Sequence, residues 1–136
     1  MRKLLILIFI IPLLSACSGT GNKIKPSISS SNNGDTGLYI VREGGFIGGG
    51  VLAKIEVNGR EIGKLGVKEN ITHNVSSNYK IQVSGAGITG LGMGKDTASG
   101  VNDGKNHFYI ISVKQGLFSA GFHIGETTET GFKQTN

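Results

Sequence analysis

The chain has 136 residues, with 14 Lys and Arg against 9 Asp and Glu, for a formal charge of +5. After Arg2 and Lys3 the basic residues are spread singly, without the cluster or stripe of a nucleic-acid binder, so that class of partner is not expected. A single cysteine leaves no disulfide framework, and 23 glycines beside many β-branched residues point to strands and turns around a hydrophobic core.

The first seventeen residues read as an export leader. Arg2 and Lys3 precede an apolar run from Leu4 to Leu14, interrupted by Pro12, and the small residues Ser15 and Ala16 lead to Cys17. A basic start, a short apolar stretch and a small-residue junction make a secretory signal peptide. A membrane-spanning helix needs about 20 apolar residues, more than this run supplies. The stretch Leu14-Ser15-Ala16-Cys17 resembles the lipobox of bacterial lipoproteins. The resemblance implies cleavage before Cys17, so that residues 1–16 are the signal peptide. It also implies a diacylglyceryl group on the Cys17 thiol and an acyl chain, such as palmitate, on the new amino terminus. Lipidation gives the lone thiol a use. The implied partner is the lipid bilayer, through acylated Cys17, and the implied location is the bacterial cell envelope. Ser18, rather than Asp, follows the cysteine, which by the same resemblance implies the outer membrane.

Cys17 and the residues up to Thr36 read as a lipidated start and a flexible linker. Ser, Asn, Gly and Thr dominate residues 18–36. As a free coil this segment would span about 25 Å, enough to clear the lipid head groups and let the domain turn.

From Gly37 the hydrophobic period is two, and residues 37–136 are expected to form one all-β domain, a small antiparallel sandwich or an open barrel. GLYIVRE (37–43) is the first predicted strand. VLAKIEVN (51–58) and REIGKLG (60–66) flank Asn58-Gly59, a strong hairpin signal because both residues accept positive φ. A two-residue turn places Ile55 across from Ile62 and Glu56 across from Glu61, a four-residue turn pairs Val57 with Ile62, and the pattern does not choose. ITHNV (71–75) and YKIQVS (79–84) read as a second hairpin around Ser76 to Asn78. NHFYIISVK (106–114) is apolar on both faces, as a central strand is. LFSAGFHI (117–124) follows as a further strand, and the polar tail holds at most a short strand or one turn of helix.

Residues 37 to 134 resemble a family of small bacterial envelope lipoproteins of unknown function. The family pattern is a strand ending in Arg, a Gly-rich loop and a V-x-V-(D/N)-G-x-x-(I/L)-G hairpin, here Ile55 to Gly63. ITHNVSSNYKIQV and GKNHFYIISVKQG resemble its later strands, with Ser77-Asn78 where the family has Pro-Gly. These are turn-and-strand patterns, which imply a fold, and the family carries no established catalytic residues.

The constellations that suggest chemistry are weak. GAGITG (85–90) matches a dinucleotide-loop pattern, but that site needs a following helix, and the next residues are too Gly-rich to form one. His73, His107 and His123 share no metal-ligand spacing, so no metal is expected. No G-x-S-x-G nucleophile is present. The runs GGFIGGGVLA (44–53) and GAGITGLGMG (85–94) carry small-residue spacing but are half a bilayer long as helices. They read as loops, and if both lie at one end, Phe46, Ile47, Leu91 and Met93 are candidate apolar contact tips.

The expectation is therefore a non-enzymatic envelope lipoprotein, without cofactor beyond the covalent lipid, whose β-domain binds another envelope component. The alternative is an outward-facing surface module, an adhesin or inhibitor. A small hydrolase with an unrecognised site is the third possibility.

Overall fold

The computed structural model describes residues 19–29, 33–45 and 48–135. Eight strands and one short helix follow one another: β1 (Thr36–Arg42), β2 (Ala53–Val57), β3 (Arg60–Leu65), β4 (Asn70–Val75), β5 (Tyr79–Gly85), β6 (Asp96–Gly100), β7 (Asn106–Gln115), β8 (Ala120–Thr127) and α1 (Glu129–Gln134). They form two four-stranded sheets, ordered β4-β1-β7-β8 and β3-β2-β5-β6. The sheets face each other as an all-β sandwich. Every pairing is antiparallel except β1 with β7, which run side by side from Gly37↔Asn106 to Arg42↔Ile111.

Alternation builds the core. Leu38 and Ile40 of β1, Ile55 and Val57 of β2, Ile81 and Val83 of β5, and Tyr109 and Ile111 of β7 meet between the sheets. Each such burial contributes about 1.5–3 kcal/mol, which lets the domain fold without a disulfide. The other faces of β1 and β7 are apolar too, and they have their own cover. Tyr39, Val41 and Phe108 pack under Phe132 of α1, which is fully buried. Phe132 stands edge-on to Tyr39, with ring centroids 5.9 Å apart. The helix starts at Thr128, whose hydroxyl accepts the Gly131 amide at 3.1 Å. The central position expected for the 106–114 strand follows from these two apolar faces.

The Asn58-Gly59 turn has two residues, with φ of 51° and 80°, both positive as a type I′ turn requires. Val57 pairs with Arg60 and Glu56 with Glu61, and then a bulge shifts the register so that Ile55 faces Gly63. Neither pairing considered for Ile62 forms, because the bulge takes up that residue. Asn58 also staples the turn to β5: its amide donates to Asn78 O at 3.2 Å, and its Oδ1 accepts from Lys80 N at 2.9 Å.

Residues 71–75 and 79–84 do not form the expected hairpin. β4 pairs with β1 in one sheet and β5 with β2 in the other, so Ser76 to Asn78 cross between sheets. Val75 and Tyr79 are both buried in the central core. A hairpin and a sheet-crossing corner both require that inward pair, so alternation alone does not separate them. β6 was not legible at all: Asp-Thr-Ala-Ser-Gly lacks the apolar residues of a strand. It forms as an edge partner of β5, with Gly100 against the Tyr79 ring, where an added Cβ would lie 2.3 Å from the hydroxyl oxygen.

Both open seams of the sandwich are laced. At the β6–β8 seam, Gly94 N donates to Ala120 O at 3.0 Å, and Phe122 N donates to Gly94 O at 2.9 Å. Asp96 Oδ2 accepts from Ile124 N at 3.1 Å and pairs with His123 Nδ1 at 2.7 Å. At the β3–β4 seam the lacing is residues 19–29. Thr20 N donates to Lys64 O at 2.8 Å, and Asn22 exchanges two backbone bonds of 2.8 Å with Asn70. The buried Asn70 amide donates to Asn22 O at 2.8 Å and Ile24 O at 3.2 Å. Beyond, Lys25 Nζ reaches Lys133 O and Thr135 O, Ile28 packs on the Phe132 cluster, and Asn106 donates to Ser29 O at 2.8 Å. This segment was expected to be a free spacer. Its polar composition hid this role, because it is held mainly by hydrogen bonds, from main chain and polar side chains, which leave no apolar period in the sequence.

Arg42 ties the loops to this frame. Its side chain is 2% exposed, and its guanidinium donates to Leu65 O at 3.0 Å, to Gly48 O at 2.6 Å and to Val51 O. The guanidinium carbon also lies 5.2 Å from the Phe122 ring centroid. Replacing Arg42 by Lys removes the planar fork and leaves buried carbonyls without donors. Arg42→Lys should lower stability by about 1–3 kcal/mol, read as a lower urea midpoint at unchanged slope. An unaltered midpoint would show that the fork is dispensable.

Candidate functional site: the loop end of the sandwich

Strand directions decide which loops are neighbours. The end of β1 lies beside Ile111 of β7 and opposite Asn70 of β4, and the start of β2 lies opposite Leu65 of β3 and Gly85 of β5. Loops 43–52, 66–69, 86–95 and 116–119 therefore all leave from one end. Arg42 joins the first loop to Leu65, and the Gly94–Gly121 bridge joins the 86–95 loop to β8. The two glycine-rich runs share an end.

The GAGITG stretch explains itself at this end. A Cβ on Gly85 would lie 2.5 Å from Gly90 O, and one on Gly90 would lie 2.3 Å from the Gly85 carbonyl carbon. The two backbones touch, and Gly87 between them has φ of 66°. A single 3-10 turn at Ile88–Gly90 closes the loop. The glycines serve a tight closure, and no helix follows to hold a phosphate.

Four large apolar side chains project from this end: Ile88 at 87% exposure, Leu91 at 77%, Leu117 at 94% and Phe118 at 99%. Ordinary surfaces scatter such residues singly, so a group at one end is a candidate contact surface. Of the expected tips, Leu91 is exposed. Met93 is half-buried and packs against the central core. Phe46 and Ile47 lie outside the described residues. Sequence reasoning missed Ile88, Leu117 and Phe118. Hydrophobicity alone places Leu117-Phe118 in the strand, although the preceding Gln115-Gly116 is a turn signal. In the structure Gly116 N donates to Ser119 O at 2.7 Å, placing both side chains on the hairpin tip.

The exposed charged residues of this end are Lys68, Lys95 and Lys114. Of the acids in its loops, Glu69 is 3% exposed and accepts the Gly66 amide at 2.8 Å, and Glu43 is half-buried. A cleft of about 220 Å³ lies between Arg42, Gly44, Val67, Ile111 and Val113. It falls below the ~300–1,000 Å³ of a typical small-ligand site.

Polar chemistry gathers at the opposite end. His107 contacts Glu126 Oε1 through Nδ1 at 2.8 Å and Asp103 Oδ1 through Nε2 at 3.1 Å. Asp103 accepts the Lys105 amide at 3.0 Å, and the buried Thr36 hydroxyl accepts the Asp103 and Gly104 amides at 3.0 and 3.1 Å. Nearby, the Tyr79 and Tyr109 hydroxyls are 2.8 Å apart in the core. Both nitrogens of His107 are occupied by carboxylates, so the ring has no free position to activate a nucleophile. Those carboxylates also lie on opposite sides of the ring and do not converge. Among the described residues no group of three His, Cys, Asp or Glu side chains is placed to hold a metal ion. Glu56 and Glu61 are each countered by a lysine, Lys54 at 3.3 Å and Lys64 at 3.7 Å. Among the described residues no helix is long and apolar enough to cross a membrane.

Compared with known protein families, with curated proteins and with solved structures, the chain finds no match.

The His107 cluster has a pH signature. Burial disfavours the charged ring, but the hydrogen bonds to Glu126 and Asp103 outweigh it and raise its pKa above 6.5. A raised histidine contributes stability that is complete below pH 6.5 and is lost as pH rises through the folded-state value. The Lys105 amide and the His107 ring hold Asp103 below its ordinary 3.8, despite some desolvation. Its contribution is present above that value and is lost as pH falls through the folded one. Urea unfolding from below pH 6.5 upward should show stability declining. His107→Gln should flatten that decline, and an unchanged slope in the variant would assign it elsewhere.

Proposed function

We propose that this protein is a bacterial envelope lipoprotein, lipidated at Cys17, whose non-catalytic β-sandwich binds another envelope component through its loop end. The observation that carries the binding role is the set of four exposed apolar side chains, Ile88, Leu91, Leu117 and Phe118, at one end of the sandwich. Fully exposed Leu and Phe each forgo about 1.5–3 kcal/mol of burial, and a contact at this end would recover it. The Leu14-Ser15-Ala16-Cys17 stretch supports the anchor, and Ser18 supports the outer membrane. The described polar clusters are self-satisfied clasps, which favours a binding module over a hydrolase.

The mature chain from a bacterial host should begin at Cys17 and carry the mass of a diacylglyceryl group and a further acyl chain. Cys17→Ser should leave the protein in the soluble fraction. Cross-linking in living cells should then identify a component bound to the native chain and lost in that variant. Equal membrane recovery of Cys17→Ser would remove the anchor from the reading.

A further inference from the structure

We infer that the component contacted by the loop end is the bilayer itself: the sandwich is seated on the lipid surface through Ile88, Leu91, Leu117 and Phe118. The inference rests on the proposed lipidation of Cys17 and names the partner of that same surface.

The first observation is where the tether leaves the fold. Gly19 is docked: a Cβ there would lie 2.6 Å from Gly66 N and 2.4 Å from Lys64 O. The neighbouring Thr20 N donates to Lys64 O at 2.8 Å, and Asn22 pairs with Asn70. Gly19 thus sits against the 66–69 loop, at the end that carries the apolar tips. Only Ser18 separates it from Cys17. Two residues of fully extended chain reach about 7 Å, so an anchor at Cys17 would have no more than that reach from docked Gly19. A spacer of 19 free residues would have allowed any orientation. A strap docked over residues 19–29 allows fewer, and favours those that turn the loop end toward the membrane.

The second observation is the chemistry of the surface presented. Its exposed large side chains are apolar, its fully exposed charges are the cations Lys68, Lys95 and Lys114, and of its loop acids Glu69 is buried and Glu43 half-buried. Apolar tips ringed by lysine suit the boundary between acyl chains and anionic head groups. The opposite end is mixed in sign, with Asp103, Lys105, Glu126 and Glu129 exposed. The two ends differ as a seated end and a free end would.

The chain contains no tryptophan, so a single one reports its own surroundings. Phe118→Trp and, as the far-end control, Val101→Trp are introduced separately into the full acylated protein. Both native side chains are exposed, at 99% and 59%, so neither change removes core packing. The proteins are reconstituted into phosphatidylethanolamine–phosphatidylglycerol vesicles, with and without lipids brominated on their acyl chains. Acylation is verified by intact mass and anchoring by co-flotation.

At a depth of about 5–10 Å, the indole of the Phe118→Trp protein should shift to shorter wavelength and lose about half its emission or more to brominated lipid. The emission of the Val101→Trp protein should be unaffected. Changing Ile88, Leu91 and Leu117 to Ser in the Phe118→Trp protein should reduce that quenching while acylation and flotation persist. If the Phe118→Trp protein is acylated and co-floats, yet is quenched no more than the Val101→Trp control, the seating is overturned and the anchor stands. Its loop end would then be open to a protein partner. A chain with no acyl mass overturns the anchor and the inference together.

Discussion

The buried guanidinium of Arg42 is the interaction on which the loop end depends. A charge there is costly unless its donors are met, and three backbone carbonyls from two different segments meet them. The carbonyls of Gly48 and Val51 belong to the glycine-rich loop, and that of Leu65 ends β3. Burial pulls the guanidinium below its ordinary pKa, and the field of Glu69 opposes this. The main chain around it is bonded as well: Arg42 N donates to Glu69 O at 2.9 Å, and Lys68 N donates to Arg42 O at 3.0 Å. One side chain thus converts a glycine-rich connection, which has little to pack, into a loop with a fixed point of attachment.

The rest of the architecture manages the edges that two open sheets leave behind. Unpaired edge strands invite pairing with other chains. Here β6 meets β8 through Gly94, Gly121 and Asp96, while β3 and β4 are joined by the strap of residues 19–29. The glycines at the first seam let the chains run close, since a Cβ on Gly121 would lie a tight 3.2 Å from the Gly94 Cα. At the second seam the sandwich recruits main chain from outside its own strands. The distinction between sandwich and open barrel is therefore narrow in this fold: the sheets stay separate, but neither seam is left bare.

What could be read from the sequence tracks how each element is stabilised. β1, β2, β5 and β7 declare themselves because side-chain burial holds them, and burial writes a period into the chain. The Asn58-Gly59 turn declares itself because its positive φ values restrict residue choice. The bulge at Ile62 does not, since one extra residue leaves the same apolar types in place. β6 is silent because backbone hydrogen bonds hold it, and the strap because hydrogen bonds of main chain and polar side chains hold it, neither of which writes an apolar period into the chain. The same reasoning applies to the apolar tips. Leu91 stood out within a glycine run, whereas Leu117 and Phe118 resembled the start of a strand and were hidden by their own hydrophobicity.

The two ends of the sandwich divide their tasks by polarity. At the far end, Thr36, Asp103, His107 and Glu126 bond to one another and to the main chain, so charge there is spent on internal cohesion. At the loop end the glycines bring backbones into contact, which leaves the larger side chains of those loops little interior to enter. Gly85 and Gly90 meet face to face, and Ile88 between them is displaced outward to 87% exposure. The apolar tips thus follow from how the loops close, as well as from which residues occupy them. A loop held by backbone contact at its base presents its tip in a defined position. Fixed tips meet a surface without first losing the freedom of a mobile loop, and that loss is among the main costs of any association. Rigidity at the glycine contacts and exposure at the tips are therefore one design, and it favours a contact that is shallow, apolar and set in orientation by the fold.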